Sequence, residues 1–238
     1  MKNAKTPGLE ETLKRLGSEE KACVLRRFFK TGKGDYGEGD VFLGVVVPAA
    51  RKVAKAYREL PLDELLTFLK SPYHEVRLCA LLIMVEQYRR GDARNRRTIF
   101  QAYRKHTRHI NNWDLVDLSA PGIVGEHALR IAPGCLDGFA NRASLWDKRI
   151  AIVATLTLIR NGQFAETLRL AEKFLSHPHD LMHKAAGWML REVGKRDRPT
   201  LTAFLTRHRL DMPRTMLRYA IEHYPEQERK AWLSTSIG

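Results

Sequence analysis

The chain has 238 residues, 44% of them hydrophobic and 29% charged, which is enough apolar content for a sizeable core. No stretch approaches the ~18 consecutive apolar residues of a membrane span, and the opening MKNAKTPGLEETLKRLG lacks the apolar segment of a secretory signal. Forty-one Lys and Arg against 27 Asp and Glu leave a net charge of +14 and a pI near 9.9, which points to a polyanionic partner.

Along the chain, KTGKGDYGEGDVFLGVVVP comes first, with five glycines at 32, 34, 37, 39 and 44 that no helix tolerates. It lacks the GK[ST] of a phosphate-binding loop, so it reads as an ordered loop joining the first helix to the helical array. A short amphipathic helix is predicted over Leu60–Lys70. A longer one comes next, with Ser71 as N-cap, Pro72 at the first helical position and Glu75 in the first turn. Further helices are predicted in DARNRRTIFQAYRKHT, NNWDLVDLSAPGIVGEHAL, SLWDKRIAIVATLTLIR, AETLRLAEKFLSH, HDLMHKAAGWMLREVGKR, RPTLTAFLTRHR and PRTMLRYAIEHY. Each spans about ten to twenty residues and ends at Gly, Pro, Ser or Asp. Alternating strand patterns are nearly absent.

Two segments echo each other. TFLKSPYHEVRLCALLIMVEQY and FLSHPHDLMHKAAGWMLREV both run from an FL ending through Ser, Pro and His into a long apolar helix. Phe68 and Phe174 are 106 residues apart, about three helix pairs of ~35 each. The expected fold is therefore all-α: a right-handed superhelix of stacked antiparallel helix pairs, HEAT-like or armadillo-type, in one domain over residues 1–238.

Charge is uneven. Between Arg89 and Arg108 there are eight Lys or Arg and one acid, Asp92. Such a run repels itself unless an anion lies along it. A membrane surface fits less well than nucleic acid, because no long basic amphipathic helix carries a Trp, Phe and Leu face. Cys23, Cys79 and Cys135 are far apart without metal-ligand spacing and read as free thiols of a reducing cytoplasm. The nine histidines show no metal-binding pattern, so no metal or other cofactor is expected.

Three segments carry candidate chemistry. In NNWDLVD, Asn112 suits an N-cap and Asp114 the positive first turn, while Leu115 and Val116 turn to the core. Trp113 and Asp117 are then i and i+4 on one face. That spacing also suits a core tryptophan and a second acid favouring the helix dipole, and spacing alone leaves both open. In SLWDKRIAIVA, Ser144 and Asp147 suit a capping box. Arg149 beside Lys148 is either a groove residue or a solvated arginine. In KAAGWMLREVGKR, Ala185, Met189 and Val193 face inward, and Ala186 and Gly187 leave room for a close neighbour. Trp188, Arg191 and Lys195 form a second stripe, suited either to nucleic acid or, for the indole, to a core.

YGEGDVFLGV, NNWDLVD, the WDKRIAI segment and KAAGWMLREVGK together resemble the AlkD family of DNA alkylation-repair glycosylases, over most of the chain up to Lys195. The resemblance implies a superhelix with double-stranded DNA carrying alkylated bases in a basic groove. It implies excision of positively charged alkylpurines such as 3-methyladenine and 7-methylguanine, and a working set of Asp117, Trp113 and Trp188 as catalytic residues. Arg149 holds a phosphate in that scheme, with Lys148, Arg191 and Lys195 as further DNA-binding residues. A first-helix tyrosine known in the family is replaced here within RRFFK, by Phe28 or Phe29. The chain is thus expected to be a monomeric, monofunctional glycosylase. The alternative is a non-catalytic helical-repeat scaffold that binds nucleic acid or protein.

Overall fold

The computed structural model describes residues 8–234; Met1–Pro7, part of the segment read for a secretory signal, lie outside it. Every regular element among the described residues is helical, as the periodicity predicts. The α-helices are α1 (Leu9–Leu16), α2 (Glu19–Phe28), α3 (Val47–Ala56), α4 (Leu62–Phe68), α5 (His74–Arg90), α6 (Ala93–Lys105), α7 (Trp113–Asp117), α8 (Glu126–Arg130), α9 (Asp137–Ala140), α10 (Leu145–Arg160), α11 (Ala165–Lys173), α12 (Asp180–Gly194), α13 (Arg198–His208), α14 (Arg214–Ala220) and α15 (Glu226–Leu233). The chain forms two compact units, residues 1–119 and 120–238. No described helix is long and apolar enough to cross a membrane.

The first unit is built on α5, which packs against α1, α3, α4, α6 and α7. The reason lies in its sequence: from His74 to Met84 every residue is buried, whichever way it points. Beyond its first turn, where His74, Glu75 and Arg77 find polar partners, this stretch is apolar all round, and such a helix has to be surrounded. The second unit is built on α10 and α12. From Arg149 to Ile159 α10 is wholly buried, and it packs against α8, α9, α11 and α12. Helix α12 in turn packs on α11, α13 and α14. The two echoing sequences form corresponding pairs, α4 on α5 in one unit and α11 on α12 in the other. Ala185, Met189 and Val193 are fully buried, and Gly187 is where α14 comes closest: a Cβ there would lie 2.5 Å from Met216 O.

Two boundaries and one cap differ from those predicted. Helix α5 starts at His74, two residues beyond Pro72. Ser71 does not cap it but closes a turn, its Oγ accepting from Tyr73 N at 3.2 Å. His74 N is already committed to Val41 O at 2.8 Å, beside an isolated bridge between Val41 and Tyr73. The stretch from Asn111 to Leu129 is not one helix. Helix α7 ends after five residues, a π-helical turn spans Pro121–Gly125, and α8 comes after it. Pro121 has no N–H to extend a helix, and Thr157 Oγ1 donates to its carbonyl at 2.7 Å. Gly125 lies so close to α10 that a Cβ would stand 2.3 Å from Ala154 O. At the start of α10 the expected capping box does not form: Ser144 caps through Trp146 N at 3.2 Å, and Asp147 turns instead to accept from Arg142 at 3.1 Å.

Candidate active site and nucleic-acid interface

The glycine-rich loop is ordered and supplies a charge that local pattern reading misses. Gly44 has φ +83, and a Cβ there would collide with Ser18 O at 2.0 Å, so only glycine lets the loop pass α2. Glu75, read as a first-turn acid, instead reaches back to this loop. Its carboxylate accepts from Leu43 N (2.9 Å), Gly44 N (2.8 Å) and Val45 N (3.1 Å). A charged acceptor thus satisfies three backbone donors.

Asp40, in the same loop, meets α5. His74 Nδ1 donates to Asp40 Oδ2 at 3.0 Å and His74 Nε2 to Asp114 Oδ2 at 2.8 Å. Each ring nitrogen faces a carboxylate oxygen, and only the imidazolium has two N–H groups to give. Burial opposes that charge, but the attraction of Asp114 and Asp40 outweighs it and raises the His74 pKa to about 9. Arg77 Nη2 adds a 2.6 Å bond to Asp40 Oδ1. Burial raises the Asp40 pKa, and the His74 and Arg77 contacts more than reverse this, so it lies below its usual value. All four side chains are buried, and two cations balance two carboxylates. Asn111 and Asn112 complete the joint, each donating from Nδ2 to Asp40, at 3.4 and 3.3 Å.

This network holds the start of α7, so it places the two residues that sequence singled out. Asn112 caps α7 as predicted, Oδ1 accepting from Trp113 N at 2.8 Å. Leu115 and Val116 are fully buried. Trp113 and Asp117 are both half-buried and line one pocket of about 450 Å³. Trp113 stacks on Phe29 with ring centroids 5.0 Å apart, and Phe29 stacks on Phe42 at 5.1 Å. The predicted one-face placement therefore holds. Asp114 is not merely an acid near a helix dipole; it is the partner of His74.

The first-helix position resolves into two roles. Phe29 is buried at 6% exposure, in the core behind Trp113, whereas Phe28 is 61% exposed and meets Trp113 edge-on at 5.6 Å. Both line the pocket, at the end of α2 where a family tyrosine was expected.

The other predicted residues belong to the second unit. Trp188 is half-buried on α12, beside the buried Ala185–Met189–Val193 core stripe. Arg149 is neither in an open groove nor solvated. It is buried, and its Nη1 donates to Leu181 O at 2.6 Å, joining α10 to the first turn of α12. Lys148 beside it is half-buried, and its side chain makes no hydrogen bond or ion pair among the described residues. Arg191 is paired with Glu222, and Lys195 with Glu192 at 2.6 Å. In the basic run, Arg89 pairs with Glu86 and Arg90 with Glu59, so part of its charge is met within the protein. The Cys79 thiol, bonded to Ala50 O at 3.5 Å, has its pKa pushed up to about 12 by burial and is inert. No group of three or more His, Cys, Asp or Glu suited to a metal ion occurs among the described residues.

The model of the DNA alkylation repair enzyme family matches residues 9–224, spanning both units. Among solved structures, a predicted DNA alkylation repair enzyme from Enterococcus faecalis is similar with a TM-score of 0.72, over 88% of this chain and 97% of that one. At 17% identity this likeness speaks to the fold. No curated protein matches. The match over 9–224 shows the family: this chain belongs to the DNA alkylation repair enzymes.

Proposed function

We propose that the chain is a monofunctional, monomeric cytoplasmic DNA glycosylase that hydrolyses the N-glycosidic bond of positively charged alkylpurines, 3-methyladenine and 7-methylguanine, in duplex DNA. One observation carries the reading: Asp117 and Trp113 line a single aromatic-walled pocket from one face of α7, in a chain of net charge +14.

Alkylation at N3 or N7 puts a positive charge on the base. When the bond from C1′ to the base nitrogen breaks, its electron pair neutralises that charge, so the leaving group needs no general acid. Positive charge grows instead on the deoxyribose. A fixed carboxylate beside the sugar stabilises this oxocarbenium-like state and orients the water that attacks C1′. Asp117 is assigned both tasks. Trp113, backed by Phe29, packs on the sugar and excludes bulk water. Trp188 packs on the DNA backbone. Lys148 is the cation for a phosphate here, with Arg149 fixing α12 beneath Trp188, and Arg191 and Lys195 contribute once their carboxylate partners are exchanged for phosphate.

Incubating the protein with methylated duplex DNA and quantifying the freed bases tests the reading. Release well above the spontaneous rate is expected. A folded protein that binds DNA without releasing base would be the non-catalytic scaffold instead.

A further inference from the structure

The second unit holds a cavity of about 620 Å³ of whose lining residues half are arginine: Arg191 from α12, Arg214 and Arg218 from α14, and Arg229 from α15, beside Tyr219, Ile221, Glu222 and Leu233. Its one acid among the described lining residues is Glu222, which leaves four positive charges against one negative, or +3.

The cations are not equally engaged. Arg191 is tied to Glu222, and Arg214 Nη1 donates to Leu233 O at 2.6 Å. The side chains of Arg218 and Arg229 make no hydrogen bond or ion pair among the described residues. Arg191 Nε is buried and has no hydrogen-bond partner, since Glu192 stays 4.0 Å away. An unpartnered buried donor costs about 1–3 kcal/mol. Like charges one helical turn apart, as at Arg214 and Arg218, add a few tenths more. Arg218 and Arg229 do not serve packing, for both are exposed and their guanidinium groups meet no partner among the described residues.

We propose that this arginine pocket is a phosphate-binding site, with Glu222 occupying Arg191 until an anion displaces it. The guanidinium fork matches phosphate oxygens two at a time, and a phosphate brings enough acceptors to serve several arginines at once. A 620 Å³ space exceeds what one phosphate needs, so consecutive phosphates fit it better than a single ion. Such a row comes either from a nucleic-acid backbone or from a free oligophosphate. The nucleic-acid source rests on the proposed glycosylase reading; the phosphate chemistry does not.

The test measures binding of the wild type, Glu222→Gln and the double variant Arg218→Ala/Arg229→Ala at fixed salt. The probes are inorganic tripolyphosphate and a fluorescent unmodified duplex, with a heptaglutamate peptide as the carboxylate control. These side chains are exposed, and equal thermal unfolding of the three proteins checks that the fold is kept. Tripolyphosphate is expected to bind the wild type, several-fold more tightly to Glu222→Gln, and about tenfold more weakly to the double variant. If the duplex shows the same order, the phosphates are those of DNA; if only tripolyphosphate does, they belong to a free oligophosphate. Affinities for both phosphate probes that do not change across the three proteins would overturn the proposal. So would no binding of either, or heptaglutamate binding as tightly as tripolyphosphate. Because no step is read as catalysis, a protein that releases no base from methylated DNA would sink the glycosylase reading and leave this result standing.

Discussion

His74 Nε2 lies 2.8 Å from Asp114 Oδ2, which joins the first turn of α5 to the residue after Trp113 by a buried ion pair. With Asp40 on the other ring nitrogen, the imidazolium is the keystone of the network under the pocket. Replacing it by His74→Gln leaves two buried carboxylates to share Arg77. A loss of about 3–5 kcal/mol is expected, because removing one partner strands the others. Urea denaturation followed by circular dichroism measures it, and a loss below about 1 kcal/mol would show that the pair is not formed.

The same pair sets a pH dependence. The His74 pKa is about 9 in the folded protein against an ordinary 6.5, so the folded state holds its proton more tightly. The contribution is complete below pH 6.5, falls as pH rises from there, and is gone above about pH 9. Asp40 acts on the acid side. Its pKa lies below the ordinary 3.8, so its contribution is present above that value and is lost as pH falls through the lowered one. Urea midpoints of the wild type should decline between pH 6.5 and 9, and those of His74→Gln should be flatter over that interval.

The loop that carries Asp40 depends on Gly44. An alanine there combines a positive φ with a Cβ 2.0 Å from Ser18 O. Gly44→Ala is expected to cost at least the roughly 1–3 kcal/mol of a strained backbone, with the overlap added. Gly34→Ala, also at positive φ but with open space around its Cβ, should cost less. Thermal unfolding of the two variants checks the order.

Phe28 and Phe29 separate packing from function. Phe29→Ala should lose about 3–5 kcal/mol, since it empties the core behind Trp113. Phe28→Ala should lose under about 1 kcal/mol, being mostly exposed. If Phe28 contacts the lesion nucleotide, its loss lowers kcat/KM for base release about tenfold at nearly full stability, by the ~1–3 kcal/mol of an aromatic stacking contact. Parallel denaturation and base-release assays distinguish the two residues.

The all-helical class was legible because α10 and α12 announce themselves through apolar residues at helical spacing, and α10 also through Ser144 at its start. Trp113 and Asp117 were legible as a pair because i and i+4 is a local relation, and a helix displays it in sequence. Asp40 was not, since its partners His74 and Arg77 lie 34 and 37 residues away and no period links a glycine-rich loop to a helix. Glu75 was visible only as a first-turn acid, because its three backbone donors lie in that same distant loop. The break after α7 was written in Pro121, but the apolar run through IVGEHAL masked it. Arg149 shows a further limit: adjacent charges in WDKR look alike in sequence, yet the helix buries Arg149 and leaves Lys148 half-exposed.

The measurement that bears most directly on the role of Asp117 is base release from methylated duplex DNA by the wild type and Asp117→Asn under single-turnover conditions, with DNA affinity measured in parallel. The carboxylate's role predicts a rate loss of about 10²–10³ in the variant, the scale of losing one transition-state electrostatic contact. Affinity for DNA should then change by less than about threefold, since neutralising an acid removes no contact to phosphate. Equal losses of rate and affinity, or an unchanged rate, would contradict the assignment of Asp117 as the group that stabilises the sugar cation.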